Sequence, residues 1–151
     1  MKRKFLTPVL ALAFLLFLSC NDDDNQTDTN TLAGEWRITA ISNSDSPLGP
    51  ILEPEAGEEI SIQFQNNGQF SGTTSINAFN GDSSTTSDEL FINDFISTEA
   101  LDTTFGLAFY QALFESSNEN AGASVFSMVA VDDNRINLEY NDFKFMSIER
   151  K

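Results

Sequence analysis

The sequence predicts a mostly antiparallel β domain carrying a single α-helix, an α+β arrangement, on three observations. From Leu32 onward, short apolar runs alternate with period 2, the signature of strands with one buried face. Clusters of Gly, Asn, Asp and Ser separate those runs, as hairpin turns require. A single window, 103–116, switches to helical spacing. The chain has 151 residues, which suits one domain.

The elements are expected in the following order. The first strand covers 34–41, with Trp36, Ile38 and Ala40 on one face. The stretch 43–57 carries Pro47, Pro50 and Pro54 without periodicity and reads as a loop. Over 59–64 the alternation is clean, with Ile60, Ile62 and Phe64 pointing one way. Asn66-Asn67-Gly68 then marks a hairpin, because positive φ at the turn favours Asn and Gly. The returning strand starts at Gln69 and runs through Phe70 and Gly72. A strand pair follows over 82–86 and 89–95, joined at Ser87-Asp88. In the helix, Asp102 or Thr103 is the N-cap, and the rows Phe105-Phe109-Leu113 and Tyr110-Phe114 face the sheet. Three strands close the chain, over 124–131, 135–140 and 143–148, with Asp- and Asn-rich turns between them. Eleven of the fourteen phenylalanines fall in this part, enough to fill a core or to line a pocket.

The amino terminus has a different character. Lys2, Arg3 and Lys4 precede an apolar run over 5–18, whose 14 residues make about 21 Å of helix, short of the ~30 Å bilayer core. That is a signal peptide over 1–19 rather than a membrane span. Its end, Phe17-Leu18-Ser19-Cys20, resembles a bacterial lipobox, which implies cleavage before Cys20 and conversion of its thiol to a diacylglyceryl thioether. Residues 20–31 contain Asp22, Asp23 and Asp24 and, from Asn21 to Thr31, no apolar side chain, so they form an acidic flexible tether reaching at most ~40 Å. The three aspartates lack the glycine and distal Glu of a calcium loop. They resemble instead the surface-export signal of Bacteroidota lipoproteins. The expected location is the bacterial envelope, at the outer membrane through the Cys20 anchor, and the folded domain covers 32–151.

Composition excludes more than it proposes. Without histidine the chain cannot supply His-dependent triads, His-activated thiols or the usual zinc sets. Residues 20–151 hold five basic and twenty-three acidic residues, a formal charge of −18, which argues against binding nucleic acid. Glu58-Glu59, Asp88-Glu89 and Asp132-Asp133 sit at turns or strand starts, where solvated acids are ordinary. A Ser-Lys mechanism has only Lys144 and Lys151 to draw on. No enzymatic activity, metal or cofactor is expected; the partner is a membrane through the anchor, with a protein or small ligand unspecified.

The stretch 70–81 resembles the central motif of the META domain, the family of HslJ-like envelope proteins, with Gly72, Asn77, Phe79 and Gly81 at the matching places. Gly34-Glu35-Trp36 is similar to the family's opening strand, and Leu90, Ile92, Ser97 and Thr98 to a later segment. The resemblance implies a small exported or lipid-anchored protein associated with envelope stress, without catalysis. Ser75-Ile76 stands where the family often has Gly-Cys and Leu101 where it often has a second cysteine, so if the two places meet in the fold an Ile76 to Leu101 contact replaces a thiol pair, and no redox role carries over. Asn77 and Gly81 are expected at a structural turn. Gly34-x-Trp36 also resembles the start of a lipocalin. That alternative, a lipocalin-like β-barrel, implies a binding module for a small hydrophobic ligand or a divalent cation.

Overall fold

The computed structural model describes residues 32–151. Nine strands and one helix follow one another: β1 (Gly34–Ser42), β2 (Ile60–Phe64), β3 (Gln69–Thr73), β4 (Ala78–Thr85), β5 (Glu89–Ser97), α1 (Thr104–Glu115), β6 (Ser117–Asn118), β7 (Ala123–Asp132), β8 (Arg135–Tyr140) and β9 (Lys144–Arg150). The protein is therefore mostly antiparallel β with one helix. All strand pairings are antiparallel, in the order β5-β4-β3-β2-β1-β9-β8-β7-β6. A further pairing of β5 with β7, from Glu89 opposite Ser127 to Ile92 opposite Ser124, closes eight of these strands into a barrel. The two-residue β6 only extends the start of β7. Closure fits the lipocalin-like alternative better than an open α+β sheet, and it leaves no long unpaired edge.

The alternation places strand interiors where it should. Ile60, Ile62 and Phe64 are buried along β2, and Gly68 adopts φ 85° in the predicted hairpin. In β1 the phase changes midway. Ile38 faces Ile148 but Ala40 faces Ser147, so Thr39 is an extra residue without a partner on β9. This bulge turns Ala40 off the buried face and puts Ile41, fully buried, in its place. The fourth strand starts at Ala78, four residues before the expected 82, and a second bulge leaves Asn93 unpaired between Asp94 and Ile92.

Helix α1 lies across one mouth of the barrel. Thr103 is its N-cap, its hydroxyl accepting from the Gly106 N–H at 3.1 Å. The far end of the helix is tied to the barrel where the Ser124 hydroxyl and the Asn141 amide donate to the carbonyls of Leu113 and Glu115. Phe105 and Phe109 point inward with Ala108 and Ala112, but Phe114, expected on the same face, is 82 % exposed. The Tyr110-Phe114 row is therefore split: Tyr110 packs against the core and Phe114, in the last turn, faces solvent.

Inside, Phe64, Phe70, Phe79, Phe95, Phe109 and Tyr110 form a continuous aromatic cluster with successive ring centroids 5.4–6.4 Å apart. Each buried ring contributes roughly 1.5–3 kcal/mol. The opposite mouth is closed by Leu32 and Trp36, the indole N–H donating to the Leu32 carbonyl at 2.7 Å while the Arg150 guanidinium covers the ring at 4.4 Å.

Candidate functional site

The polar cluster under the start of α1 is where the sequence motif and the fold meet. Asn77 ends the turn between β3 and β4 and is 2 % exposed. Its amide nitrogen donates to the Ala100 carbonyl and to Asp102 Oδ2, both at 2.8 Å. Its oxygen accepts from the Thr98 hydroxyl at 2.8 Å and the Ala100 N–H at 2.9 Å. All four hydrogen-bonding places of the amide are thus filled. Asp102, buried as well, also takes the Thr74 hydroxyl at 2.5 Å and the Thr103 N–H at 2.8 Å. Asn77 and Asp102 together fasten the β3–β4 turn to the link between β5 and the helix.

Burial pushes the Asp102 carboxyl up, but the hydrogen bonds from Thr74, Asn77 and Thr103 outweigh it and hold the group below its ordinary 3.8. At neutral pH it is a fully engaged carboxylate, which makes it a poor proton acceptor. The Tyr110 hydroxyl is buried against Thr74, Asn77 and Asp102, and burial pushes its pKa up. Neither group is tuned toward neutrality, where a general acid or base would be most useful.

The remaining motif residues are packing devices. A Cβ on Gly72 would strike the Ser61 carbonyl and the Phe79 ring. A Cβ on Gly81 would strike the Asp94 carbonyl and the Phe70 ring. Gly81 therefore lies within strand β4 and not at a turn, and its identity follows from close approach of the neighbouring strand, not from unusual φ. Phe79, 2 % exposed, sits at the centre of the aromatic cluster. Ile76 and Leu101 are 53 % and 87 % exposed, so no buried apolar contact between them stands in for a thiol pair. Cys20, the signal peptide 1–19 and the tether 20–31 lie outside the described residues.

A second cluster escaped the sequence reading. Lys144 is 8 % exposed, at the start of β9, with its ammonium 2.8 Å from Glu115 and 2.9 Å from Asp45. Hydrogen bonds to Asp45 and Glu115 push its pKa up, so it is a fixed cation and not a base. The Lys144 hydrogen bond, aided by Gln111, holds Glu115 below its ordinary 4.5. Next to it, Tyr140 donates to Asn43 Oδ1, and Asn43 reaches the Ala108 carbonyl at 3.2 Å. The signal was available: Lys144 shares strand parity with the buried Met146 and Ile148.

Among the described residues the barrel interior is filled and the larger depressions are open to solvent. The apolar void at the centre of the barrel, bounded by Phe64, Phe70, Phe109 and Phe126 among others, is about 20 Å³. The larger depressions are open surface grooves, among them one of about 400 Å³ between Glu53, Glu55, Glu58 and the start of α1. Among the described residues, no group of three or more Cys, Asp or Glu side chains is placed to hold a metal ion.

No family model matches the sequence, and no curated protein matches it significantly. The chain is similar to solved structures. A protein from Burkholderia xenovorans, determined by NMR, matches with a TM-score of 0.60 at 17 % identity, over 83 % of this chain and 87 % of that one. An uncharacterized protein from Bacteroides eggerthii matches with a TM-score of 0.45 at 18 % identity, over 78 % of this chain and 98 % of the other. The first likeness concerns the fold alone.

Proposed function

We propose that this protein is an exported lipoprotein of the bacterial envelope, held by acyl chains at Cys20, whose barrel is a non-catalytic interaction module of META-like type. The observation that carries the non-catalytic, non-carrier part is the filled interior. A carrier of small hydrophobic molecules needs a pocket of hundreds of Å³. The central void of about 20 Å³ is at least tenfold smaller than such a pocket. The polar clusters support the same reading, because Asn77, Asp102 and Lys144 are all committed to fold contacts. Barrel closure is what favours the lipocalin-like binding module as the second reading.

Support for the anchor comes from the basic, apolar, Leu18-Ser19-Cys20 order of the amino terminus and from the exposure-tolerant tether after it. Two or more acyl chains are required for firm attachment at ~0.8 kcal/mol per buried methylene. Mass spectrometry of the membrane-extracted protein tests this directly. The expected species begins at Cys20 and carries diacylglycerol on sulfur. Retention of residues 1–19 with an unmodified Cys20 would refute the lipoprotein assignment, and saturable one-to-one uptake of a fluorescent fatty acid would replace the interaction module by the carrier.

A further inference from the structure

The helix-capped end of the barrel differs from the rest of the surface. Seven of the ten large apolar side chains that stand exposed among the described residues belong to its connections and helix. The most open are Leu48 at 95 %, Leu101 at 87 % and Phe114 at 82 %, and Phe143 follows at 56 %. They come from four separate segments: the β1–β2 connection, the β5–α1 link, the helix and the β8–β9 turn. Phe143 has φ 63°, a region that bulky residues rarely occupy, and that backbone leaves its ring exposed. Exposed apolar side chains concentrated at one end of the barrel, not scattered singly over it, point to an interaction site.

Charge is equally one-sided there. Glu53, Glu55, Glu99, Glu119 and Asp142 are exposed at this end. Its single basic residue, Lys144, is buried between Asp45 and Glu115. The other basic residues among those described, Arg37, Arg135, Arg150 and Lys151, lie along β1 or toward the opposite mouth. Leu32, where the tether meets the barrel, also closes that opposite mouth.

We propose that the helix-capped end docks a protein partner whose contact surface sets apolar side chains among Lys and Arg. The inference rests on the anchored, non-catalytic reading and names the partner for it. An anchor attached at one mouth leaves the other free to face away from the membrane. Anionic headgroups repel the acidic rim, and two copies meeting through it would oppose like charge to like charge. A cationic partner is drawn in by the same field, with apolar anchors supplying the contact.

The test uses the full-length protein in neutral maltoside micelles and three short capped peptides. One alternates Lys with Phe and Leu, one replaces Lys by Glu, and one replaces Phe and Leu by Ser. The first peptide should bind at least ~10-fold more tightly than either control and weaken as salt rises from ~50 to ~300 mM. The exposed pair L48S/F114S should lower its affinity at least ~5-fold, while V129S/V131S on β7 should leave it within about 2-fold. Equal binding of the three peptides, or equal loss in both variants, overturns the surface. So does a concentration-dependent dimer that L48S/F114S abolishes, which assigns it to a second copy, or slowed amide exchange around Phe114 in vesicles of about one-third anionic lipid, which assigns it to the membrane. Any of these results with Cys20 acylated leaves the anchored-module reading standing; an unmodified Cys20 overturns that reading and, with it, the orientation on which the surface rests.

Discussion

Only an amide satisfies position 77. Its nitrogen must donate twice, to a backbone carbonyl and to the Asp102 carboxylate, and its oxygen must accept twice. Alanine would strand the Ala100 carbonyl, the Ala100 N–H and one bond of the buried carboxylate. N77A should therefore lose about 2–4 kcal/mol of stability, read from the urea midpoint. The carboxylates give the domain a pH dependence of defined sign. Asp102 and Glu115 are both held below their ordinary values of 3.8 and 4.5. Their contribution is complete above those values and is lost as pH falls through the depressed folded-state pKa. Stability measured by urea should stay level as pH falls toward 5 and decline below about 4, and D102N should flatten that decline relative to the parent protein.

Helix α1 works as a plug rather than as one layer of an open sandwich. Phe109 reaches from it to Phe79 and Phe95, so the plug and the barrel share one core. F109A should cost about 3–5 kcal/mol in chemical denaturation, and T103A, which removes only the cap, about 1 kcal/mol. The helix, β2 and the Asn66-Asn67-Gly68 hairpin were legible in the sequence because their signals are local: apolar spacing, alternation and turn chemistry. The bulges at Thr39 and Asn93 were not, since a residue becomes unpaired only through the register of its neighbour. Barrel closure entered only through the lipocalin-like alternative suggested by Gly34-x-Trp36, because the pairing of β5 with β7 spans a helix and leaves no local mark. The site was half visible. Asn77 stood out within its motif, but Asp102 read as a capping residue, because its burial depends on a turn some 25 residues earlier in the chain.

At the scale of the molecule, charge opposes compactness. Twenty-three acidic residues against five basic ones after Ser19 repel one another at low ionic strength, and the ion pairs that exist are concentrated on Lys144, Lys151, Arg37 and Arg135. Shortening the Debye length from about 30 to about 8 Å, by raising salt from ~10 mM to ~0.15 M, should raise the thermal midpoint by a few degrees, followed by circular dichroism. An unchanged or lower midpoint would mean that the ion pairs outweigh the repulsion. The order in which the barrel closes has a temporal meaning. Its first strand takes its last strand as a neighbour, with Trp36 opposite Arg150. The wall is therefore complete only once β9 docks beside β1, and until then Trp36 lacks the arginine that covers it. Contacts so far apart in the chain carry a large loop-closure cost, so the wall closes late in folding.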